Sequence, residues 1–235
     1  MRQRVRFTKQ GKIRFLSHRD VARVWERSLR RAGVRVAYSE GFSPRPRLSF
    51  GLALSTGYES LGEYLDIDLA EALDADELPA VVNPSLPPGI VAQVAIEIAP
   101  GTPSLQQAVT SSSWELQLVD VDPAALVEAV STVKASVALP ITVERKGTPS
   151  ELDARPAILD LAAAGTALRA ELATQPRSLR PAELLEAMDP AWVLGRALRT
   201  HQWTSVDGAR CEPIPFGDLG ARGATSTARV EARAS

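Results

Sequence analysis

Apolar and polar positions alternate in short runs along the first hundred residues, interrupted by one stretch of helical spacing. Val5 and Phe7 alternate with Arg4 and Arg6, and after Gln10-Gly11 the pattern resumes with Ile13 and Phe15 against Lys12 and Arg14. Period two on both sides of a turn predicts a β-hairpin with one apolar and one basic face. Ser17 precedes Asp20 by three residues, the spacing at which a hydroxyl and a carboxylate satisfy the free amides of a helix start. The helix is expected to run to about Ala32, with Val21, Val24, Trp25, Leu29 and Ala32 on one stripe. Arg19, Arg23, Arg27, Arg30 and Arg31 cover its other sides, and Gly33 ends it.

A short strand around residues 34–37 leads into Ser39-Glu40-Gly41-Phe42-Ser43-Pro44-Arg45-Pro46-Arg47. Its prolines hold the backbone extended and Gly41 permits a turn, giving a rigid basic loop. Leu48, Phe50, Leu52 and Leu54 predict one strand, Leu65, Ile67 and Leu69 another, residues 71–82 a helix, and Val94, Ile96 and Ile98 a last strand. The order is β-α-β-β-α-β with a doubled first strand.

Residues 101–112, rich in Pro, Ser, Thr and Gln, read as a linker. Beyond them Trp114, Leu116 and Leu118 predict a strand, and Asp122-Pro123 supplies a cap and a first-turn proline for a helix to about Val133. Ile141 with Val143, and Leu168 with Ala170 and Leu172, predict strands; Pro181 opens a helix; residues 192–198 have a second helical pattern; residues 201–206 close a sheet. This order predicts the α+β class: two ferredoxin-like βαββαβ units in tandem, with helices on one face of antiparallel sheets. The units are a basic domain at 1–100 and a second domain at 113–206. Residues 207–235 lack a periodic apolar pattern and are expected to form a disordered tail.

Composition adds constraints. Apolar residues at 45% and charged residues at 23% suit a globular chain. No signal-like segment and no run of about 18 apolar residues occurs, so a cytoplasmic protein with no membrane partner is expected. A single Cys211 excludes an internal disulfide, and two histidines, His18 and His201, leave little for a metal; no metal and no cofactor are expected. The net charge of −1 conceals a segregation, since residues 1–50 hold 14 Lys+Arg against 3 Asp+Glu. A patch of that sign attracts phosphates, or an acidic protein.

The candidate nucleic-acid-binding residues are Arg4, Arg6, Lys12 and Arg14 on the hairpin, Arg19, Arg23 and Arg27 on the helix, and Arg45 and Arg47 on the Pro-Arg loop. Guanidinium groups bind phosphate in bidentate fashion. Cross-strand pairing of the hairpin arginines with Asp66 and Asp68 is the alternative. Of the aromatic residues, Tyr64 and Tyr38 are the candidates for base stacking. His18, at the first helical position among arginines, and Asp20 are the weak candidates for acid–base chemistry, although a capping role explains Asp20 and simple exposure explains His18.

Gly11-Lys12-Ile13-Arg14-Phe15-Leu16-Ser17-His18-Arg19-Asp20, Trp25-Glu26-Arg27 and Tyr38-Ser39-Glu40-Gly41-Phe42-Ser43-Pro44-Arg45-Pro46 resemble the radical SAM-linked protein family, DUF2344. The likeness extends through Leu48-Ser49-Phe50-Gly51-Leu52-Ala53-Leu54, Gly57 and Glu63-Tyr64-Leu65-Asp66-Ile67, and more loosely to about residue 205. Members are encoded beside, or fused to, a radical SAM protein, so the resemblance implies such a partner and carries over no catalytic residue. Its chemistry needs three cysteines around an iron–sulfur cluster, and one is present here, so the radical step would fall to the partner. Three functions remain as expectations: a non-catalytic accessory protein binding RNA or another anionic substrate, an RNA-processing or RNA-modifying enzyme using His18 or Asp20, and a protein-docking module without nucleic acid.

Overall fold

The computed structural model describes residues 1–145, 148–206 and 208–214. The strands are β1 (Arg2–Lys9), β2 (Leu48–Phe50), β3 (Glu59–Asp68), β4 (Ile90–Glu97), β5 (Val109–Val119), β6 (Pro140–Arg145), β7 (Thr148–Asp153), β8 (Ile158–Ala164), β9 (Ala167–Ala173), β10 (Val193–Val206) and β11 (Ala209–Cys211). The helices are α1 (His18–Arg31), α2 (Leu78–Val82), α3 (Leu105–Ala108), α4 (Pro123–Ala135) and α5 (Pro181–Met188). Among the described residues one mixed, mostly antiparallel sheet runs β4-β1-β3-β10-β5-β9-β8, with β2 on β3, β11 on β10, and β6-β7 as a separate hairpin.

Among the described residues two large apolar cores, and one smaller cluster, lie against this sheet. The first joins Val5 and Phe7 of β1, Leu65 and Ile67 of β3, and Val21, Trp25 and Leu29 of α1. Trp25 is fully buried and meets Phe7 edge-on at 5.0 Å. The second joins Trp114, Leu116 and Leu118 of β5 with Leu126 and Val130 of α4, Leu184 and Leu185 of α5, and Leu168 and Leu172 of β9. Where the halves meet, β3 and β10 pair in parallel, Leu198 opposite Glu59 and Arg199 opposite Ser60, so the strands form a continuous sheet.

Several expectations are corrected. Residues 11–15 are a 3-10 turn, not a second hairpin strand. Gly11 at φ +69° turns the chain, and the Lys9 amine donates to the carbonyls of Arg14 and Leu16, holding those carbonyls away from a ladder. The strand around 34–37 shrinks to isolated bridges, Val36 to Leu69 and Tyr38 to Pro46. The helix over 71–82 is confined to α2, because Pro79 suits a first turn and not an interior.

Residues 101–112 contain α3 and the start of β5, with Leu105 and Val109 buried. Residues 193–198 belong to β10, whose long ladder with β5 overrides their helical composition. Strands β7 and β8 are elements that the apolar pattern does not mark. The expected tail begins too early: β11 pairs with β10, and Ile214 is 2% exposed. The rest of that stretch, residue 207 and residues 215–235, lies outside the described residues.

Candidate nucleic-acid interface

Helix α1 places its arginines in rows because its capping and its apolar stripe leave no other arrangement. Ser17 stands at the N-cap and its hydroxyl accepts the Asp20 amide at 3.3 Å. Val21, Trp25, Ser28 and Leu29 turn to the core, so Arg19, Arg23, Arg27, Arg30 and Arg31 are left to its outer sides. Of these, Arg23, Arg27 and Arg30 lie furthest round the helix from the Val21, Trp25 and Leu29 stripe. Gly33, at φ +76°, ends the helix in the left-handed conformation, with Val34 N–H donating to the Leu29 carbonyl at 3.0 Å. That reversal sends residues 34–38 back beside the helix they left.

Arg23, Arg27 and Arg30 of α1, Arg35 and Tyr38 of the returning segment and Pro46 thus line one open groove. Glu26 and Glu71 also line it. Arg23 pairs with Asp20 at 3.2 Å and Arg35 lies 4.0 Å from Glu71, both exposed contacts of small energetic weight. Among the described residues no carboxylate lies within ion-pair distance of Arg19, Arg27, Arg30, Arg31 or Arg45. The groove therefore carries an excess of guanidinium charge.

The segment beyond Tyr38 is a closed ribbon. Ser39 N–H donates to the Arg45 carbonyl at 2.8 Å, the Arg45 amide to the Ser39 hydroxyl at 3.0 Å, and Arg47 N–H to the Ala37 carbonyl at 2.8 Å. Arg45 and Arg47 stand on it, Arg45 exposed and Arg47 within 4.0 Å of Asp68. Lys12 is exposed on the 3-10 turn, and Arg14 lies over the Phe15 ring and 3.9 Å from Glu59.

Arg4 and Arg6 do not join an exposed platform. Arg4 is 4% exposed and grips both oxygens of Asp66, at 2.7 and 3.0 Å; Arg6 is 5% exposed, bonds Gln93 and lies 3.6 Å from Glu212. The face that alternation left for solvent is covered by α3 and residues 212–214, which pack Leu105 and Ile214 on Tyr64 and Val94. Tyr64 is accordingly 1% exposed and gives no stacking surface.

A family model described as "Uncharacterized protein conserved in bacteria (DUF2344)" matches residues 2–181. The chain belongs to that family. No curated protein matches it. The matched span holds the whole groove and ribbon of this DUF2344 chain.

Asp20 and His18 have different surroundings. The Ser17 hydroxyl donates to Asp20 at 2.6 Å and, with Arg23 close by, holds its carboxyl below the usual range, as expected of a capping carboxylate. The His18 ring lies edge-on to Phe50 at 5.3 Å and lines a small recess with Phe7, Lys9, Val21, Phe50 and Glu63. Within the DUF2344 fold this recess lies beside the junction of the two halves, where Arg199 of β10 meets Glu63 of β3. Burial, and then the nearby Arg199 charge, push the Lys9 amine down despite the Glu63 carboxylate.

Arg30 and Arg35 of the groove, and Lys9 and Glu63 of the recess, are functional candidates that the DUF2344 sequence by itself does not single out. For Arg35 a signal exists, its place in the same basic stretch just past Gly33. For Glu63 there is none, since its partner Arg199 lies far along the chain.

Proposed function

We propose that the chain is a non-catalytic accessory protein that binds RNA, or another polyanion of similar charge spacing, along the groove beside α1. The observation that supports this most is the row of guanidiniums at Arg23, Arg27, Arg30 and Arg35 in one open groove. Arginine forks match phosphate geometry, and neutralising phosphates releases counterions, so such a row gains affinity without reading sequence. Both halves fit the ferredoxin-like reading: β4-β1-β3 with β2 on β3 in the first and β10-β5-β9-β8 in the second are the same relative order of strands. The radical SAM partner belongs to this reading through the resemblance of residues 11–20 and 38–46, and the single Cys211 agrees with a radical step made elsewhere.

The test is a salt titration of binding to a labelled RNA. Arg23, Arg27 and Arg30 changed together to Gln should weaken binding and lower the slope of log affinity against log salt by roughly 0.7 for each phosphate no longer neutralised. An unchanged slope would mean that RNA does not follow the groove. Pull-down of the tagged chain from its own cells, with and without nuclease, separates this reading from protein docking. RNA recovered with a radical SAM protein supports it, whereas a partner retained after nuclease with no enriched RNA favours docking.

A second reading rests on the recess. His18, Lys9 and Glu63 line it together, which is an arrangement for acid–base work. His18→Gln abolishing an RNA-modifying activity while leaving RNA affinity intact would favour an enzyme; unchanged activity would end that reading.

A further inference from the structure

We infer that the groove selects single-stranded over double-stranded nucleic acid, because Tyr38 offers a stacking surface for an unpaired base amid the phosphate-binding arginines. This rests on the reading of the groove as a polyanion site. Tyr38 is 55% exposed on the groove wall, and among the described residues no aromatic ring or guanidinium stacks on it. Its backbone is held on both sides. Ala37 N–H donates to the Asp68 carbonyl at 2.7 Å, Arg47 N–H donates to the Ala37 carbonyl, and Tyr38 bridges Pro46.

An exposed aromatic ring on a fixed backbone costs little entropy to use, and every base has a face that fits it. A duplex buries those faces in its own stack, so it can engage the arginines but not the ring. In the first half, which carries the groove, the usual alternative platform, the open face of a sheet, is closed, since Tyr64 is 1% exposed and Arg4 is held by Asp66. Within this basic region the same ribbon also presents Phe42, fully exposed between Tyr38 and Pro46, within a few residues of the ring. The ligand class is therefore a single-stranded RNA segment whose phosphates follow Arg23, Arg27 and Arg30 while one base leaves the strand's stack for Tyr38.

The experiment is fluorescence anisotropy with the full chain, a labelled twelve-nucleotide RNA of mixed sequence, and the same RNA annealed to its complement, at one fixed salt concentration. The single strand should bind more tightly than the duplex. Tyr38→Ala should weaken single-strand binding by roughly 5- to 150-fold, the range for loss of one stacked base, with no effect on the duplex. Tyr38→Phe should keep the preference, which separates lost stacking from a disturbed ribbon. Equal binding of both forms, or a Tyr38→Ala chain that still prefers the single strand, overturns this inference and leaves phosphate binding standing. Failure to bind either form overturns both.

Discussion

Arg199 on β10 holds both carboxylate oxygens of Glu63 on β3, its Nη2 lying 2.6 Å from each, and the pair is buried where the two halves of the sheet meet. The same guanidinium donates to the Leu52 carbonyl at 2.9 Å and lies 5.5 Å from the Trp114 ring. Taking both charges out of water is expensive, and the pair survives because each satisfies the other. Removing one partner leaves an unpaired buried charge. Arg199→Met should therefore cost about 3–5 kcal/mol, and Glu63→Leu a similar amount, while the double variant should recover much of the loss. Urea unfolding of the full chain measures this, and simple additivity of the two single losses would contradict it.

Glu59 gives the junction a dependence on acid. Burial alone would raise its carboxyl, but hydrogen bonds from Arg196 and the Gly11 amide, and the charges of Arg196 and Arg14, outweigh burial and hold it below its ordinary value. A carboxylate lowered in the folded state stabilises the fold above its unfolded value of 4.5 and loses that contribution as pH falls through the lower folded value. Melting temperature should thus drop as pH is lowered from about 6 toward about 3, the range in which such carboxylates take up protons. Glu59→Gln should make that drop shallower. An equally steep profile in the variant would show that other carboxylates govern it.

The Ser17 and Asp20 pair should behave as a helix start and nothing more. Ser17→Ala should lower stability by about 1 kcal/mol, the usual worth of such a cap. Asp20→Asn should weaken the cap without lowering RNA affinity, since Asp20 is spent on Ser17 and on Arg23, whose guanidinium the change leaves free for phosphate. A large loss of affinity or activity from Asp20→Asn, with melting temperature unchanged, would return Asp20 to the functional residues.

What the sequence disclosed is local. Ser17 and Asp122 announce the starts of α1 and α4, and both cap as expected, the Asp122 carboxylate accepting from the Ala124 amide at 3.1 Å. The apolar stripe of α1 is readable, and with it the outward placing of Arg19, Arg23 and Arg27. Alternation in β1 is readable too, but not what lies on its second face, because Leu105, Glu212 and Ile214 come from distant parts of the chain. For the same reason Arg4 and Arg6 lie in the interior and not on the expected surface. Residues 158–164, Ile-Leu-Asp-Leu-Ala-Ala-Ala, have helix-forming composition and yet make β8, since pairing with β9 decides their state. The groove needs Gly33 to fold Arg35 and Tyr38 back against α1, a reversal the sequence marks only as a helix end.

Ile214 tests whether the stretch after β10 belongs to the fold. It is 2% exposed and packs with Tyr64, Val94 and Leu105 over the second face of the first half. β11 carries it there by pairing Cys211 with Thr204, and Glu212 accepts from the Tyr64 hydroxyl at 3.4 Å. Truncating a buried isoleucine removes its transfer energy and leaves a cavity, so Ile214→Ala should cost about 2–5 kcal/mol. Val206→Ala, at a side chain 56% exposed at the end of β10, should change stability by no more than about 0.5 kcal/mol. Urea midpoints of the two variants decide the matter: a silent Ile214→Ala would mean that residues 208–214 lie on the sheet without holding it, and that Arg4 and Arg6 can be uncovered at little cost.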